Sequence, residues 1–84
     1  MSAPKSALRI RRLDVRPLMT TPGEPFRSIT AAVAGLDANE TLVLVTPFLP
    51  SPIIEKLKGE GFAARPDRQP DGTWETRLSR SADG

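Results

Sequence analysis

The stretch Thr41-Leu42-Val43-Leu44-Val45 contains the longest apolar run of the chain and decides its fold. Its length suits a β-strand and is too short for a helix. Because both faces of this strand are apolar, we expect it to lie in the interior of a sheet, covered or paired on each side.

A strand and a helix are predicted before this run. Leu13-Asp14-Val15 alternates apolar and charged residues and Pro17 stops it, so residues 11–16 are predicted to form strand one. Helix one follows, with Thr21 or Gly23 as its cap and Pro22 or Pro25 in its first turn. Its apolar stripe has helical spacing and comprises Phe26, Ile29, Val33 and Leu36. The helix is expected to end near residues 35–37.

A second helix and two strands are predicted after it. Ser51-Pro52 is typical of a helix start, and Gly59 or Gly61 is expected to end this short helix. Strand three begins at Phe62, and Pro66 restricts it to a sheet edge or a bulge. Asp71-Gly72 predicts a hairpin turn into strand four, whose Trp74 is assigned to the core or to the open sheet face.

The predicted order is β-α-β-α-β-β, which gives an α+β two-layer sandwich. Right-handed crossovers place both helices on one face of a mixed four-stranded sheet. Residues 11–78 are predicted to form a single domain, between a flexible basic N-terminal arm (1–10) and a flexible tail (79–84). The uncovered face, with Val43, Glu75 and Arg77 as candidate residues, is a candidate partner surface.

Composition excludes most familiar enzyme chemistry. The 84 residues include no Cys, His or Tyr, so thiol nucleophiles, His-based triads and Cys/His metal sites are ruled out. We therefore assign no catalytic residue, no metal and no cofactor. No apolar segment is long enough to span a bilayer or to form a signal peptide, so a cytoplasmic protein without membrane contact is expected.

Three motifs together resemble the TusA/SirA-like family over residues 12–78. They are Leu13-Asp14-Val15-Arg16, Pro22-Gly23-Glu24-Pro25 and Asn39-Glu40-Thr41-Leu42. The resemblance implies a sheet of order 1-2-4-3, a fold similar to the C-terminal domain of a translation initiation factor. The closing Gly61-Phe62 and Asp71-Gly72-Thr73-Trp74 resemble an uncharacterised, cysteine-free branch whose members occur alone or beside hemerythrin-like domains.

The chain departs from that family where the family has its cysteine. Either Thr21-Pro22 or Pro22 alone occupies the position of the family's Cys-Pro. A threonine hydroxyl cannot hold a sulfane sulfur, because its pKa is far too high for thiolate-like reactivity. Sulfur transfer is therefore not expected, and the chain is interpreted as a protein without enzymatic activity.

Two loops carry the candidate binding residues. The entry of helix one offers backbone N–H groups to an anion, and its candidate residues are Arg16, Thr20, Thr21, Pro22 and Arg27. Phe48 and Leu49 lie at the carboxyl end of strand two, where open α/β sheets place ligands. Phe48 either forms an exposed apolar contact there or caps the core under helix two.

Two functions remain open from the sequence. The first is a non-catalytic protein-interaction or regulatory module, whose partner is another protein, linked to redox or respiratory proteins by the resemblance. The alternative is binding of RNA or a phosphate ligand through the basic arm and the start of helix one. The first 17 residues support this alternative, since they hold five cations and one carboxylate.

Overall fold

The computed structural model describes residues 9–80, so residues 1–8 of the predicted arm and 81–84 of the predicted tail lie outside the described range. Its elements are β1 (Arg9–Asp14), a 3-10 helix (Arg16–Leu18), α1 (Glu24–Ala34), β2 (Glu40–Thr46), α2 (Ser51–Gly59), β3 (Phe62–Arg68) and β4 (Trp74–Arg80). This order confirms the predicted α+β fold class.

The four strands form one mixed sheet of order β1-β2-β4-β3. β1 runs parallel to β2, whereas β4 is antiparallel to both β2 and β3. β2 therefore lies in the interior, as its two apolar faces predicted. β3 is an edge strand, which explains how it tolerates Pro66, a residue that cannot donate a ladder hydrogen bond.

The core lies between the sheet and the two helices. Leu42 and Leu44 of β2 and Leu78 of β4 are almost fully buried and belong to one cluster with Val33 of α1 and Leu57 of α2. These leucines alternate along their strands with residues that point to the opposite face. The helices therefore leave the second face of the sheet uncovered within residues 9–80.

A glycine precedes α1 because the backbone adopts a left-handed conformation at the entry of this helix. Gly23 precedes the helix with φ +82°, a conformation that residues with a Cβ rarely adopt. Of the two predicted N-cap residues, Gly23 occupies the cap position, and Thr21 makes no capping hydrogen bond through its side chain. In α2 the cap position falls on Pro50, and Ser51 is already helical.

The first and last strands along the chain, β1 and β4, each extend beyond one of their predicted ends. β1 starts at Arg9, which pairs with Glu40, and β4 continues to Arg80, which pairs with Phe62. Arg9 and Ile10 therefore belong to the sheet and not to the arm, and Ser79 and Arg80 do not belong to the tail. The ends of β1 and β4 depend on hydrogen bonding to neighbouring strands that are distant in the sequence. Local composition does not reveal such pairing.

Strand one also ends earlier than predicted. Its ladder stops at Asp14, and the chain then turns into the 3-10 helix that contains Pro17. The proline was expected to stop the strand, and its fixed φ suits the first turn of a helix. Val15, at the junction, is 1% exposed and packs in the core.

Candidate functional site

An apolar groove opens where the N-terminal ends of α1 and α2 approach the carboxyl ends of β1 and β2. Its volume is about 190 Å³, and every side chain along it except that of Thr46 is apolar. Its lining includes Met19 and Phe26 on the side of α1, Phe48 and Ile53 from the β2–α2 segment, and the buried Val15. We call this feature the apolar groove.

Large hydrophobic side chains around the apolar groove remain exposed. Phe48 is 52% exposed, Phe26 45%, Leu49 41% and Met19 37%. Phe48, Phe26 and Met19 line the groove, and Leu49 follows Phe48 in the same loop. We call these four residues the apolar patch, and such a cluster of exposed hydrophobic residues marks an interaction surface more often than a scattered single residue does.

The loop that carries Phe48 is fixed by its own hydrogen bonds. The buried Thr46 hydroxyl donates to the Phe48 carbonyl at 2.5 Å, and the Ser51 amide donates to the Leu49 carbonyl at 2.9 Å. Pro47 and Pro50 restrict the backbone on either side. The exposed position of Phe48 is therefore set before any partner binds, which lowers the entropic cost of binding.

The apolar groove continues between the helices toward β3 and β4. A second depression of about 210 Å³ shares Phe26, Ile29 and Ile53 with it and reaches Phe62. The rim of this part is polar and carries both signs of charge. It includes the Lys56–Glu60 ion pair and Arg80, whose guanidinium lies 5.0 Å above the centre of the Phe62 ring.

Both arginines predicted to bind an anion are paired with carboxylates. Arg16 donates through Nε and Nη2 to the two oxygens of Asp14, at 2.9 and 2.6 Å. These hydrogen bonds lower the pKa of Asp14 to about 2 and raise the pKa of Arg16. Arg27 contacts Glu24 at 3.0 Å, and its guanidinium folds back over Gly23. The positive charge that an anion would need is therefore largely neutralised within the chain.

The remaining predicted residues of the helix entry lie outside the apolar groove. Thr20, Thr21 and Pro22 are exposed in the loop before α1, and none of them lines the groove. The structure thus separates the two predicted sites. Phe48 and Leu49 join the apolar patch, whereas the residues at the entry of α1 do not.

The open sheet face is largely charged at its surface, with one exposed large apolar residue, Ile10, near the start of β1. Val43 points to this face but is only 5% exposed, since it lies between Arg12 and Arg77 in the ladder. Glu75 accepts a hydrogen bond from Arg12 at 3.1 Å. Of the three predicted residues of this face, Glu75 and Arg77 offer charge to a partner, and Val43 offers little apolar surface.

Two of the exposed large hydrophobic residues that line the groove, Met19 and Phe26, were not predicted as site residues from the sequence. Helical spacing groups Phe26 with Ile29 and Val33 in one apolar stripe, but Phe26 is 45% exposed whereas the other two are buried, because it lies in the first turn of α1, beyond the covered part of the core. Helical spacing predicts on which face of the helix a side chain lies. It does not predict whether the neighbouring helix extends far enough to cover that side chain. Met19 follows the 3-10 helix and belongs to no periodic pattern, so only the folded structure shows that it lines the groove together with Phe48.

Within residues 9–80 no helix is long and apolar enough to cross a membrane. The same range holds no group of three acidic, Cys or His side chains that could bind a metal ion.

Comparison with known protein families places the chain in one of them. A family described as "Uncharacterized conserved protein (DUF2249)" matches residues 12–80, and the chain therefore belongs to that family. No curated protein and no solved structure matches the chain.

Proposed function

We propose that this DUF2249 domain is a non-catalytic, cytoplasmic protein-interaction module that binds an amphipathic helix of another protein in the apolar groove. The observation that carries the proposal is the ring of exposed Met19, Phe26 and Phe48 around a groove with an apolar interior. An elongated groove between two helices, with an apolar floor and polar rims, suits the apolar face of a third helix.

The exposed aromatic side chains of the apolar patch contribute part of the free energy that a specific complex needs. Phe48 leaves about half of its surface exposed, or roughly 100 Å², which contributes about 2.5 kcal/mol when a partner covers it. Phe26 offers a similar amount. Aromatic residues in fixed pockets are typical of the few positions that dominate binding, so Phe48 and Phe26 are the expected anchors.

We also propose that this family is a cysteine-free relative of the TusA/SirA-like proteins. The sheet order 1-2-4-3 and the glycine-proline entry of helix one support this relationship. The chain contains no cysteine, so it does not carry sulfur, and a role in recognition replaces the relay. Redox or respiratory proteins are the partner class that the relationship suggests.

Site-specific photo-crosslinking in the native cells tests the proposal. A benzophenone amino acid replaces Phe48 in one variant and Lys58, which is exposed on α2 away from the groove, in the control. The proposal predicts a discrete protein adduct at position 48 that is absent at position 58. No adduct at position 48, or the same adducts at both positions, would overturn it.

The same experiment with the benzophenone amino acid at Thr21, which is exposed in the loop before α1, tests the RNA alternative. An adduct at position 21 that disappears after ribonuclease treatment would identify nucleic acid as the partner at the entry of α1. Binding through phosphate contacts would also weaken steeply as salt rises, whereas an apolar contact would not. A nuclease-resistant adduct that survives high salt supports the protein partner.

A further inference from the structure

The charges on the open sheet face are sorted into rows that cross the strands. Ladder register places one carboxylate from each of three strands side by side, and this acidic row comprises Asp14, Val45, Glu75 and Asp67. Two residues along, every carboxylate is replaced by an arginine, and this basic row comprises Arg12, Val43, Arg77 and Arg65. The rows are about 7 Å apart, twice the rise per residue of a strand.

The rows are only partly neutralised within the chain. Arg12 pairs with Glu75, and this is the only ion pair that joins the two rows within residues 9–80. Asp14 pairs instead with Arg16, which belongs to neither row. Arg65 lies directly opposite Arg77, and Asp67 lies directly opposite Glu75.

Like charges directly opposed across a ladder destabilise a sheet. A partner that presents the reverse pattern would relieve both opposed pairs at once. The surface that it needs is a basic row and an acidic row at the same spacing, in the opposite order along the strands.

A second copy of the same chain has this surface. Consider a second copy whose open face lies against the open face of the first. A two-fold axis that lies between the two sheets and runs at right angles to the strands places the acidic row of each copy over the basic row of the other. Under that operation Glu75 lies over Arg77 of the second copy, and Asp67 lies over its Arg65. An axis along the strands would place like charges together, so the pattern selects one arrangement. We propose that the open face is a self-association surface and that the chain forms a two-fold dimer through it.

The area of the open face indicates a weak dimer. Four strands about 4.8 Å apart and some six residues long present roughly 400 Å² per copy. The total of about 800 Å² is below the 1,200–2,000 Å² or so of stable interfaces. Since Val43 and Val45 are already buried, apolar contact within the two rows adds little. The dimer is therefore weak and sensitive to salt, and it leaves the apolar groove free on the helical side.

Charge-reversal variants test this arrangement, because positions 75 and 77 of the two copies face each other. Arg77→Glu opposes two carboxylates across the interface, and Glu75→Arg opposes two guanidinium groups, so each variant alone repels itself. An equimolar mixture of the two restores both opposite-charge contacts. Lys58→Glu and Glu55→Arg are matched controls, because they make the same charge changes on exposed positions of α2.

The measurement is sedimentation velocity at low salt, from about 20 μM to about 1 mM protein, a range that covers a weak interface. Wild type is expected to move from monomer toward dimer, and either reversal is expected to raise the dissociation constant at least tenfold. The mixture is expected to return within about threefold of wild type, as like-charge contacts are replaced by attractive ones. The controls are expected to behave as wild type.

Three results would overturn the proposal. They are a wild type that stays monomeric at about 1 mM, a control that weakens association as much as the reversals do, and a mixture that associates no better than its components. Circular dichroism verifies that each variant is folded. If Glu75→Arg fails to fold because it loses its contact with Arg12, the Arg65→Glu and Asp67→Arg pair makes the same test at β3.

Discussion

Thr76 is the one buried side chain in the described residues with a polar atom that lacks a hydrogen-bond partner. It is 0% exposed, and its cross-strand neighbours on the covered face are Leu44 and Pro66, whose side chains carry no polar group. A buried hydroxyl left unpaired costs about 1–3 kcal/mol. Thr76→Val replaces that hydroxyl with a methyl of nearly the same volume, so we expect the free energy of unfolding to rise by about 1–2 kcal/mol.

Thermal and urea unfolding followed by circular dichroism measure this change. In a domain of this size the gain corresponds to a rise in Tm of about 4–8 °C per kcal/mol. Thr76→Ser is the control, because it keeps the hydroxyl and loses the methyl, and we expect it to destabilise the fold by about 1 kcal/mol. A Thr76→Val variant no more stable than wild type would show that the hydroxyl has a partner, and the reasoning would fail.

Three further predictions concern the groove, the Asp14 ion pair and the entry of α1. Phe48→Ala is expected to weaken partner binding at least tenfold, as loss of an aromatic anchor does. It is expected to lower the free energy of unfolding by only about 1 kcal/mol or less, because Phe48 is already half exposed. Titration calorimetry measures the affinity and urea unfolding the stability, and an unchanged affinity would count against the groove. Asp14 has a pKa lowered to about 2 in the folded state from the usual 3.8, so its stabilising contribution is present above pH 3.8 and disappears as the pH falls through about 2. Asp14→Asn should therefore reduce the free energy of unfolding at neutral pH by about 1 kcal/mol, a figure that allows for solvent screening of this partly exposed pair. The free energy of unfolding should also depend less steeply on pH between about pH 4 and pH 2. A variant with the same pH profile as wild type would contradict the assignment. Gly23→Ala introduces a Cβ at φ +82° and 3.1 Å from the Arg27 guanidinium. Thermal unfolding should therefore show that the free energy of unfolding falls by about 1 kcal/mol or more. A Tm equal to that of wild type would show that the turn relaxes to accept the alanine.

Most of the fold could be predicted because its signals are local. The run from Thr41 to Val45 is apolar on both faces, and only an interior strand satisfies that pattern. Pro66 predicted an edge strand or a bulge for the same kind of reason, since a missing N–H is tolerated at such positions and not in the middle of a sheet. Capping residues and prolines then bounded the helices to within one or two positions.

The strand ends and the site depended on contacts between distant parts of the chain. Arg9 and Ile10 looked like part of a basic arm until pairing with β2 placed them in the sheet. Phe26 has the spacing of a core residue, yet the separation of the two helix starts leaves it exposed. The acidic and basic rows are also invisible in the sequence, because register between strands, and not order along one strand, creates them.

The most direct test of the proposed interaction surface is chemical-shift mapping on the labelled domain. Proton–nitrogen correlation spectra are recorded with a helical peptide selected for binding from a random library, and in parallel with a short RNA. We predict saturable shifts with the peptide at Met19, Phe26, Thr46, Phe48 and Ile53 that persist at high salt. Shifts with RNA alone, centred on the arginines of β1 and lost at high salt, would contradict the account.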